Sequence, residues 1–153
     1  MNRELIGKEY STVEYEVSRE KIKEYAKATL SANPFYFDPE FAGKSKHGTV
    51  VAPPTFAAVY SAAVMKVIFE DRDLGMEVPR IVHGEQKFVF GEVVRAGDLV
   101  TTGVKIENIF QKTNRAGVTN EFLIIKTTSL NQDEQMVCEG TCTLIERGKQ
   151  FSE

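Results

Sequence analysis

The sequence VVAPPTFAAVYSAAVMKVIF, residues 50–69, is apolar at almost every position. Between residues 55 and 69 the side chains that are neither apolar nor aromatic are Thr55, Ser61 and Lys66. A surface helix would instead carry a wide charged face that repeats every 3.6 residues. The stretch is also too short and interrupted for a good membrane span, which needs about 20 apolar residues. It therefore predicts a central helix, at about residues 54–70, that is buried by structure wrapped around it.

Length and charge favour one ordinary domain. A chain of 153 residues is long enough to bury most of its apolar surface in a single core. The net charge is -3 with 27% charged residues, and no basic run is long enough for a nucleic-acid-binding surface. The first residues lead into mixed polar sequence without the apolar stretch of a signal peptide. We therefore expect a cytoplasmic protein that binds neither nucleic acid nor a membrane.

The two cysteines, Cys138 and Cys142, lie four residues apart in a β-rich run. Side chains at that spacing share one face of a strand about 13 Å apart, which is beyond the reach of a disulfide bond. Further metal ligands at suitable spacing are lacking. The sequence predicts two free thiols in a reducing compartment, no metal site and no cofactor.

The first third of the chain predicts one strand followed by helices. Residues 13–17 alternate between apolar and acidic side chains, which indicates a strand with one buried face. Ser18 is an expected N-cap for an amphipathic helix that begins at about residue 19 and ends near Leu30. Asp38, followed by Pro39, is expected to cap a short helical turn at residues 40–42.

The second half predicts a sheet. Four β-rich runs cover residues 80–90, 99–111, 118–130 and 135–147, with turn sequences between them. We expect a four-strand antiparallel meander that joins the first strand and curls around the central helix. This is an α+β fold, a single hot-dog domain at residues 1–148 with a frayed tail at 149–153. Because the sheet leaves an open flank, we expect at least a dimer.

Residues 29–42, TLSANPFYFDPEFA, resemble the signature of the MaoC-like (R)-specific enoyl hydratase and hydroxyacyl dehydratase family. That signature reads Ser/Thr-Gly-Asp-x-Asn-Pro-x-His, followed by Ala. Residues 90–99, FGEVVRAGDL, are similar to the family's Phe-x-x-Pro-Val-x-x-Gly-Asp, with Val93 where proline is usual. Residues 50–56 and 82–88 resemble the FAS1-like dehydratase, or MaoC N-terminal, subgroup. The chain is similar to the substrate-binding subunit of mycobacterial-type (3R)-hydroxyacyl-ACP dehydratases.

Two departures from the family pattern bear on catalysis. The resemblance implies an Asp and a His that bind the reacting water, but those positions hold Ser31 and Tyr36. A phenol with a pKa near 10, or a serine without a base, does not handle protons at neutral pH. The resemblance also implies helix N–H groups that polarise the thioester carbonyl. Pro53 and Pro54 have no N–H, which leaves donors from Thr55 onward.

These departures predict a substrate-binding, catalytically dependent subunit of an (R)-3-hydroxyacyl-thioester dehydratase or enoyl-thioester hydratase. The resemblance implies that a partner hot-dog subunit brings the Asp/His pair, in a homodimer or a heterodimer, and that the substrate is an acyl-CoA or acyl-ACP. The residues expected to bind substrate are Asn33, Pro34, Tyr36, Pro54, Thr55 and His83.

Two alternatives remain open. In the first, the chain is a self-sufficient enoyl-CoA hydratase that uses His83 as acid or base, assisted by Tyr36 or Glu85. In the second, it is a non-enzymatic acyl-thioester binding protein.

Several further residues have both a functional and a structural interpretation. The small residues Ala57, Ala58, Ala62 and Ala63 leave room for either close strand packing or a ligand channel. The cations Lys44, Lys46, Lys112 and Arg115 are either plain surface residues or ligands for a pantetheine phosphate or an acidic carrier protein. We expect His47 in a solvated loop.

Overall fold

A computed structural model describes residues 1–149. Five antiparallel strands form one sheet in the order β1-β3-β4-β5-β2. The strands are β1 (Glu9–Glu16), β2 (Ile81–Phe90), β3 (Leu99–Thr113), β4 (Thr119–Leu130) and β5 (Met136–Glu146). The helices are α1 (Arg19–Ala28), α2 (Pro39–Gly43), α3 (Ala57–Tyr60) and α4 (Ala62–Glu70). Short 3-10 turns lie at Arg3–Leu5, Pro34–Tyr36, Pro54–Phe56, Arg72–Leu74 and Val78–Arg80. The α+β arrangement of a sheet around a central helix is the one predicted.

The predicted four-strand meander is wrong in one respect, because β2 pairs with β5 and not with β3. Only β3, β4 and β5 follow one another as a meander. The segment between β2 and β3 forms no tight hairpin. It bonds instead to the chain before the central helix and to Val17, through Ala52 N to Val94 O at 2.8 Å and Gly97 N to Val17 O at 2.8 Å. This crossing leaves β1 and β2 as the two edges of the sheet.

The central helix is also less regular than predicted. A 3-10 turn at Pro54–Phe56 leads into α3, and Ser61 separates α3 from α4. The Ser61 hydroxyl donates to the Ala57 carbonyl at 2.6 Å, and the Ser61 N–H bonds to the same oxygen at 3.1 Å. A serine that bonds back to the fourth preceding carbonyl bends a helix, which accounts for the interruption.

The central helix is buried on one side only. Phe56, Tyr60, Val64 and Ile68 follow one another at four-residue spacing, and each is at most 2% exposed. Positions 58, 62 and 66 form a second stripe, which is exposed. The expectation of a helix buried on every side therefore holds for the face toward the sheet and fails for this stripe, because a single sheet covers one side of a helix.

The predicted caps at the helix starts are confirmed. The Ser18 hydroxyl accepts from Lys21 N at 3.1 Å, and Asp38 Oδ1 accepts from Glu40 N at 2.9 Å and Phe41 N at 3.0 Å. Helix α1 ends at Ala28, close to the predicted end, and Leu30 just beyond it has a φ of +55° although it is not glycine. The N–H of the following residue bonds to Ala26 O at 2.9 Å and closes the last turn.

Both cysteines are free and buried in β5, as predicted. Cys138 belongs to the apolar cluster around the start of the central helix, and Cys142 belongs to the cluster around α4. The expected tail falls mostly on residues 150–153, which lie outside the described residues. Lys149, the last described residue, has its Nζ 3.6 Å from Glu77 Oε1.

The Asp71 carboxylate, at the end of the central helix, binds side chains of β1 and of the segment that precedes β1. Asp71 Oδ2 accepts from Lys8 Nζ at 2.7 Å and from Tyr10 Oη at 2.6 Å. These bonds, with that from Lys8 the largest influence, lower the pKa of Asp71 below its ordinary value. Burial and the bond to Asp71 raise the pKa of Tyr10. The folded state therefore favours a charged carboxylate beside a neutral phenol.

We predict that Asp71→Asn lowers the free energy of unfolding at pH 7 by about 1–3 kcal/mol, because it removes a charged hydrogen-bond acceptor. Folding lowers the pKa of this carboxyl, so its charged form stabilises the protein at any pH above its unfolded-state pKa of about 4. That stabilisation is lost as the pH falls below about 4 and through the lower pKa of the folded state. Urea titrations should thus show the wild type and the variant converging in acid. Asp73→Asn, at an exposed neighbour, should change stability by less than about 0.5 kcal/mol. A constant difference between wild type and Asp71→Asn at all pH values would contradict the assignment.

Candidate functional site

The segment that resembles the family signature lies between α1 and α2 and is held by its own turn chemistry. Asn33 caps the 3-10 turn Pro34–Tyr36, with its Oδ1 accepting from Phe35 N at 3.1 Å. The Ser31 hydroxyl accepts from Asn33 N at 3.4 Å. Asn33 and Pro34 are both exposed. The side chain of Asn33 therefore has a structural role, and its predicted role in substrate binding stays a prediction.

The two positions that would carry catalysis, Ser31 and Tyr36, are not hydrogen-bonded to an acid or base among the described residues. Tyr36 is half-buried and packs against the apolar cluster that contains Phe56 and Ala57. Among residues 1–149, neither Tyr36 nor Ser31 has a side-chain hydrogen bond to an ionisable group. Proton transfer at neutral pH needs such a partner to activate a phenol or a hydroxyl. Ser31 and Tyr36 are therefore not activated for general acid or base catalysis.

The start of the central helix offers few free donors. Ala52 N bonds to Val94 O at 2.8 Å, and Phe56 N bonds to Pro53 O at 2.9 Å. The N–H of Thr55, the second residue of the 3-10 turn, has no intrahelical partner. The Thr55 carbonyl accepts from Tyr25 Oη at 2.9 Å, which ties α1 to the helix start. Two backbone N–H groups were expected to be free here. The N–H of Phe56 is used within the turn, so only the N–H of Thr55 is left to donate to a ligand.

A groove lies between the exposed stripe of the central helix and the inner faces of β2, β4 and β5. It has a volume of about 260 Å³. We call it the helix–strand groove. Its lining residues are Ala58, Ser61, Ala62, Met65, His83, Gln86, Phe88, Thr127 and Cys142. Of the four alanines considered for a ligand channel, Ala58 and Ala62 line this groove, whereas Ala57 is buried in the core and Ala63 is exposed elsewhere.

A β-bulge decides which residue accompanies His83 in the groove. The pairing of β2 with β5 shifts between His83 and Glu85, so Gly84 is an extra residue. Strict alternation would place Glu85 on the same face as His83, but the shift moves Gln86 there. His83 Nε2 lies 3.4 Å from Gln86 Oε1. Glu85 therefore faces the outer side of the sheet, and neither it nor Tyr36 lines the groove with His83.

Glycine fits this bulge without displacing its neighbours. A Cβ on Gly84 would lie 2.7 Å from Ile145 Cδ1 and 3.3 Å from Thr143 O. A larger residue at the position that sets the register of His83 and Gln86 would therefore have to shift the Ile145 side chain and the adjoining backbone of β5.

A second pocket lies at the start of the central helix, with a volume of about 130 Å³. Pro53 and Pro54 form one wall, and Phe90, Val93 and other residues of the β2–β3 connection form the opposite one. We call it the helix-tip pocket. Phe88 in the groove and Phe90 in this pocket lie on one face of β2 with ring centroids 5.9 Å apart. The two hollows therefore follow each other along the inner face of the same edge strand.

The buried groups beside these hollows are neutral at physiological pH. Burial raises the pKa of the Cys142 thiol to about 11. Burial likewise raises the pKa of Cys138, and burial with the neighbouring Cys138 raises that of Tyr60. Thiolates and phenolates are therefore scarce here, which argues against nucleophilic catalysis. Within residues 1–149 no cluster of His, Cys, Asp and Glu is arranged to hold a metal ion.

Sequence reasoning missed six of the residues that line the groove: Ser61, Met65, Gln86, Phe88, Thr127 and Cys142. Gln86 could not be predicted because the bulge changes the face on which it lies. Thr127 lies on the buried face of β4, but alternation of buried and exposed residues does not show whether that face lines a groove or a packed core. Of the residues predicted to bind substrate, His83 lines the groove and Pro54 lines the helix-tip pocket. Asn33, Pro34, Tyr36 and Thr55 line neither.

Comparison with known proteins gives a consistent assignment. A family model described as the FAS1-like, dehydratase domain region matches residues 4–140. The chain belongs to this family. A UPF0336 protein of Saccharopolyspora erythraea is 37% identical over 149 residues, covering 97% of this chain and 92% of the relative. A UPF0336 protein of Streptomyces coelicolor is 44% identical over 110 residues, covering 71% of this chain and 73% of the relative.

Solved structures share the hot-dog fold. The C-terminally truncated HadBC (3R-hydroxyacyl-ACP dehydratase) complex of Mycobacterium tuberculosis matches with a TM-score of 0.76 and 27% identity, covering 92% of this chain and 96% of the other. A MaoC-like dehydratase matches with a TM-score of 0.79 and 25% identity, over 93% of this chain and 42% of the other. The ChsH1–ChsH2 complex of M. tuberculosis, at 17% identity and a TM-score of 0.72, shares the fold. The predicted fold and family resemblance are confirmed.

In the described residues of this family member, no helix has the length and hydropathy of a membrane span.

Proposed function

We propose that this chain is the substrate-binding subunit of an (R)-3-hydroxyacyl-thioester dehydratase or enoyl-thioester hydratase. In this proposal, a second hot-dog subunit supplies the catalytic Asp/His pair. The observation that carries it is the helix–strand groove, an apolar hollow beside the central helix, in a chain whose two family catalytic positions hold Ser31 and Tyr36. The groove fits an acyl chain, and the two positions where the family pattern has Asp and His hold side chains that do not handle protons at neutral pH.

The form of the groove supports binding of an acyl chain. Ala58 and Ala62 give its helix wall a smooth surface without bulky side chains, while Met65 and Phe88 supply apolar contact. Ligand pockets of this kind are lined mainly by apolar residues with a few polar groups that fix orientation. His83 and Gln86 are such groups, and they fit the carbonyl or hydroxyl of a thioester substrate as hydrogen-bond partners.

The position of the groove supports a partner subunit. β2 is an edge strand, so the backbone groups on its free side have no strand partner within residues 1–149. It carries exposed Val82, Val89 and Phe90, at 41%, 45% and 48% exposure. An apolar edge strand of this kind is a template for pairing with another chain. A partner seated at this edge would also cover the exposed helix stripe and close the groove. The substrate proposed is an acyl-CoA or acyl-ACP.

A second candidate function rests on His83, which lines the groove within reach of Gln86. A histidine there would act as acid or base in a self-sufficient hydratase. It lacks the carboxylate that would orient its ring, because the bulge turns Glu85 to the other face. The dependent subunit is therefore the better supported function.

We predict that the purified chain alone does not hydrate crotonyl-CoA or longer enoyl thioesters. Co-expression with a hot-dog subunit that carries Asp-x-Asn-Pro-x-His should raise the rate by at least about 10²-fold, since general acid–base catalysis contributes about 10²–10⁴-fold. The measurement is the loss of enoyl-thioester absorbance with each chain alone and with the complex. Robust turnover by the isolated chain would refute the dependence on a partner.

Replacing His83 with Ala in the complex separates the two candidate functions. If His83 only contacts substrate, kcat should stay within about 5-fold and KM should rise, whereas a general acid or base would lose about 10²–10⁴-fold in kcat. His47→Ala is the matched control, since His47 packs against Phe35 at a centroid distance of 5.9 Å and lines neither hollow.

A third prediction tests the groove itself. Ala62→Leu should lower kcat/KM of the complex for long-chain enoyl thioesters by about 10-fold or more, because the added methylenes occupy the space of the acyl chain. Crotonyl-CoA, which is short, should be affected less. Ala63→Leu places the same side chain at an adjacent exposed position that does not line the groove. Equal effects of both variants on both substrates would show that the acyl chain binds elsewhere.

A further inference from the structure

The outer face of the sheet, opposite the central helix, carries an apolar row that crosses four strands. Phe110 of β3 pairs with Phe122 of β4, which pairs with Ile145 of β5, which pairs with Val82 of β2. The rings of Phe110 and Phe122 are stacked, with centroids 4.9 Å apart and an interplanar angle of 6°. Val82 is 41% exposed and the other three are half-buried. Three strand spacings make the row about 14 Å wide, which is the size of a contact with a protein element.

Cations border this row at one end of the sheet. Lys112 follows Phe110 by two residues within β3, so it lies on the same face about 7 Å beyond the row. Arg147 directly follows the last residue of β5 at the same end of the sheet. Arg147 also lines a hollow of about 310 Å³ together with Val82, Arg80 and Lys149. The apolar row and the cations therefore form one continuous surface, which we call the outer patch.

Much of the charge of the outer patch is not neutralised within residues 1–149. Arg80 pairs with Glu77, with Nε to Oε2 at 2.9 Å, and also with the buried Glu146. Lys149 pairs with Glu77 at 3.6 Å. Neither Lys112 nor Arg147 has an acidic partner in the described part of the chain. In a protein with a net charge of -3, this end of the sheet is a local positive region.

We propose that the outer patch docks an acidic protein, the acyl carrier protein that presents the thioester; the choice of carrier rests on the proposed function. An apolar centre with a charged rim is the usual anatomy of a protein interface. The unpaired cations complement an acidic partner, which increases the rate of association and sets its orientation. They are too few for nucleic acid, and the apolar row is too broad for a small anion.

The location of the patch also fits a carrier protein. Val82 and His83 are consecutive residues of the edge strand β2, and they lie on opposite faces of it. The outer patch therefore adjoins the His83 end of the helix–strand groove across the thickness of one strand.

The test measures binding of apo acyl carrier protein, which has no pantetheine arm, to the complex of this chain with its partner subunit. The double variant Lys112→Glu/Arg147→Glu should raise Kd by about 10-fold or more, and binding by the wild type should weaken between about 20 and 200 mM salt. Lys105→Glu/Lys126→Glu makes the same change of charge elsewhere on the outer face and is the control; because Lys105 pairs with Glu9 at 3.8 Å and Lys126 with Glu139 at 3.1 Å, its folding is checked by thermal unfolding. Both of its lysines lie on the outer face at directly paired positions away from the patch, and it should change Kd by less than about 2-fold.

Two further measurements separate the outcomes. An unchanged Kd in the patch variant would overturn docking of the carrier. A change in the oligomeric state of the patch variant, measured by ultracentrifugation, would also overturn it, because the patch would then contact a second copy of the chain. Hydration of crotonyl-CoA, which needs no carrier, should be the same in the patch variant and the wild type. If the wild-type complex hydrates no thioester yet binds the carrier through Lys112 and Arg147, the proposed function fails while the docking surface stands.

Discussion

The packing of Phe56 fixes the start of the central helix, and the rest of the structure is arranged around that contact. Phe56 is fully buried among the rings of Tyr15, Tyr25 and Tyr60, with centroids 6.1, 5.4 and 6.3 Å away. These rings come from β1, α1 and α3. Burial of one such side chain contributes about 1.5–3 kcal/mol, and edge-to-face contacts add to it. Because one residue joins three elements, the rotation of the helix about its own axis is determined, and with it which stripe faces the sheet.

The opposite stripe then has a defined role. Once Phe56, Tyr60 and Val64 face the core, the alanines at positions 58 and 62 must face the inner side of β2. A stripe of larger residues would fill that space and leave a packed interior without a groove. The small residues keep a hollow beside the helix, and burial raises the pKa of Cys142, the thiol in its wall. Such a hollow suits an acyl chain, which agrees with the proposal that a second subunit supplies the catalytic pair.

β2 connects the two surfaces to which function is assigned. Its inner face lines the helix–strand groove and the helix-tip pocket, its outer face begins the outer patch at Val82, and its free edge is open to pairing. An edge strand is suited to this position, since its side chains reach both faces and its backbone reaches a neighbouring chain. The bulge at Gly84 lets His83 and Gln86 share the inner face, so a single glycine controls the chemistry of the groove wall.

The sequence by itself determined the fold class, the existence of every long strand, the caps at Ser18 and Asp38 and the presence of an apolar central helix. These features follow from periodicity and capping, which act over a few neighbouring residues. The absence of the Asp/His pair was likewise readable from Ser31 and Tyr36. Only the tertiary structure decided that β2 lies beside β5, that one helix stripe stays open and that Gln86 accompanies His83 in place of Glu85. Strand order and bulge register depend on pairing between residues tens of positions apart, where local periodicity carries no information.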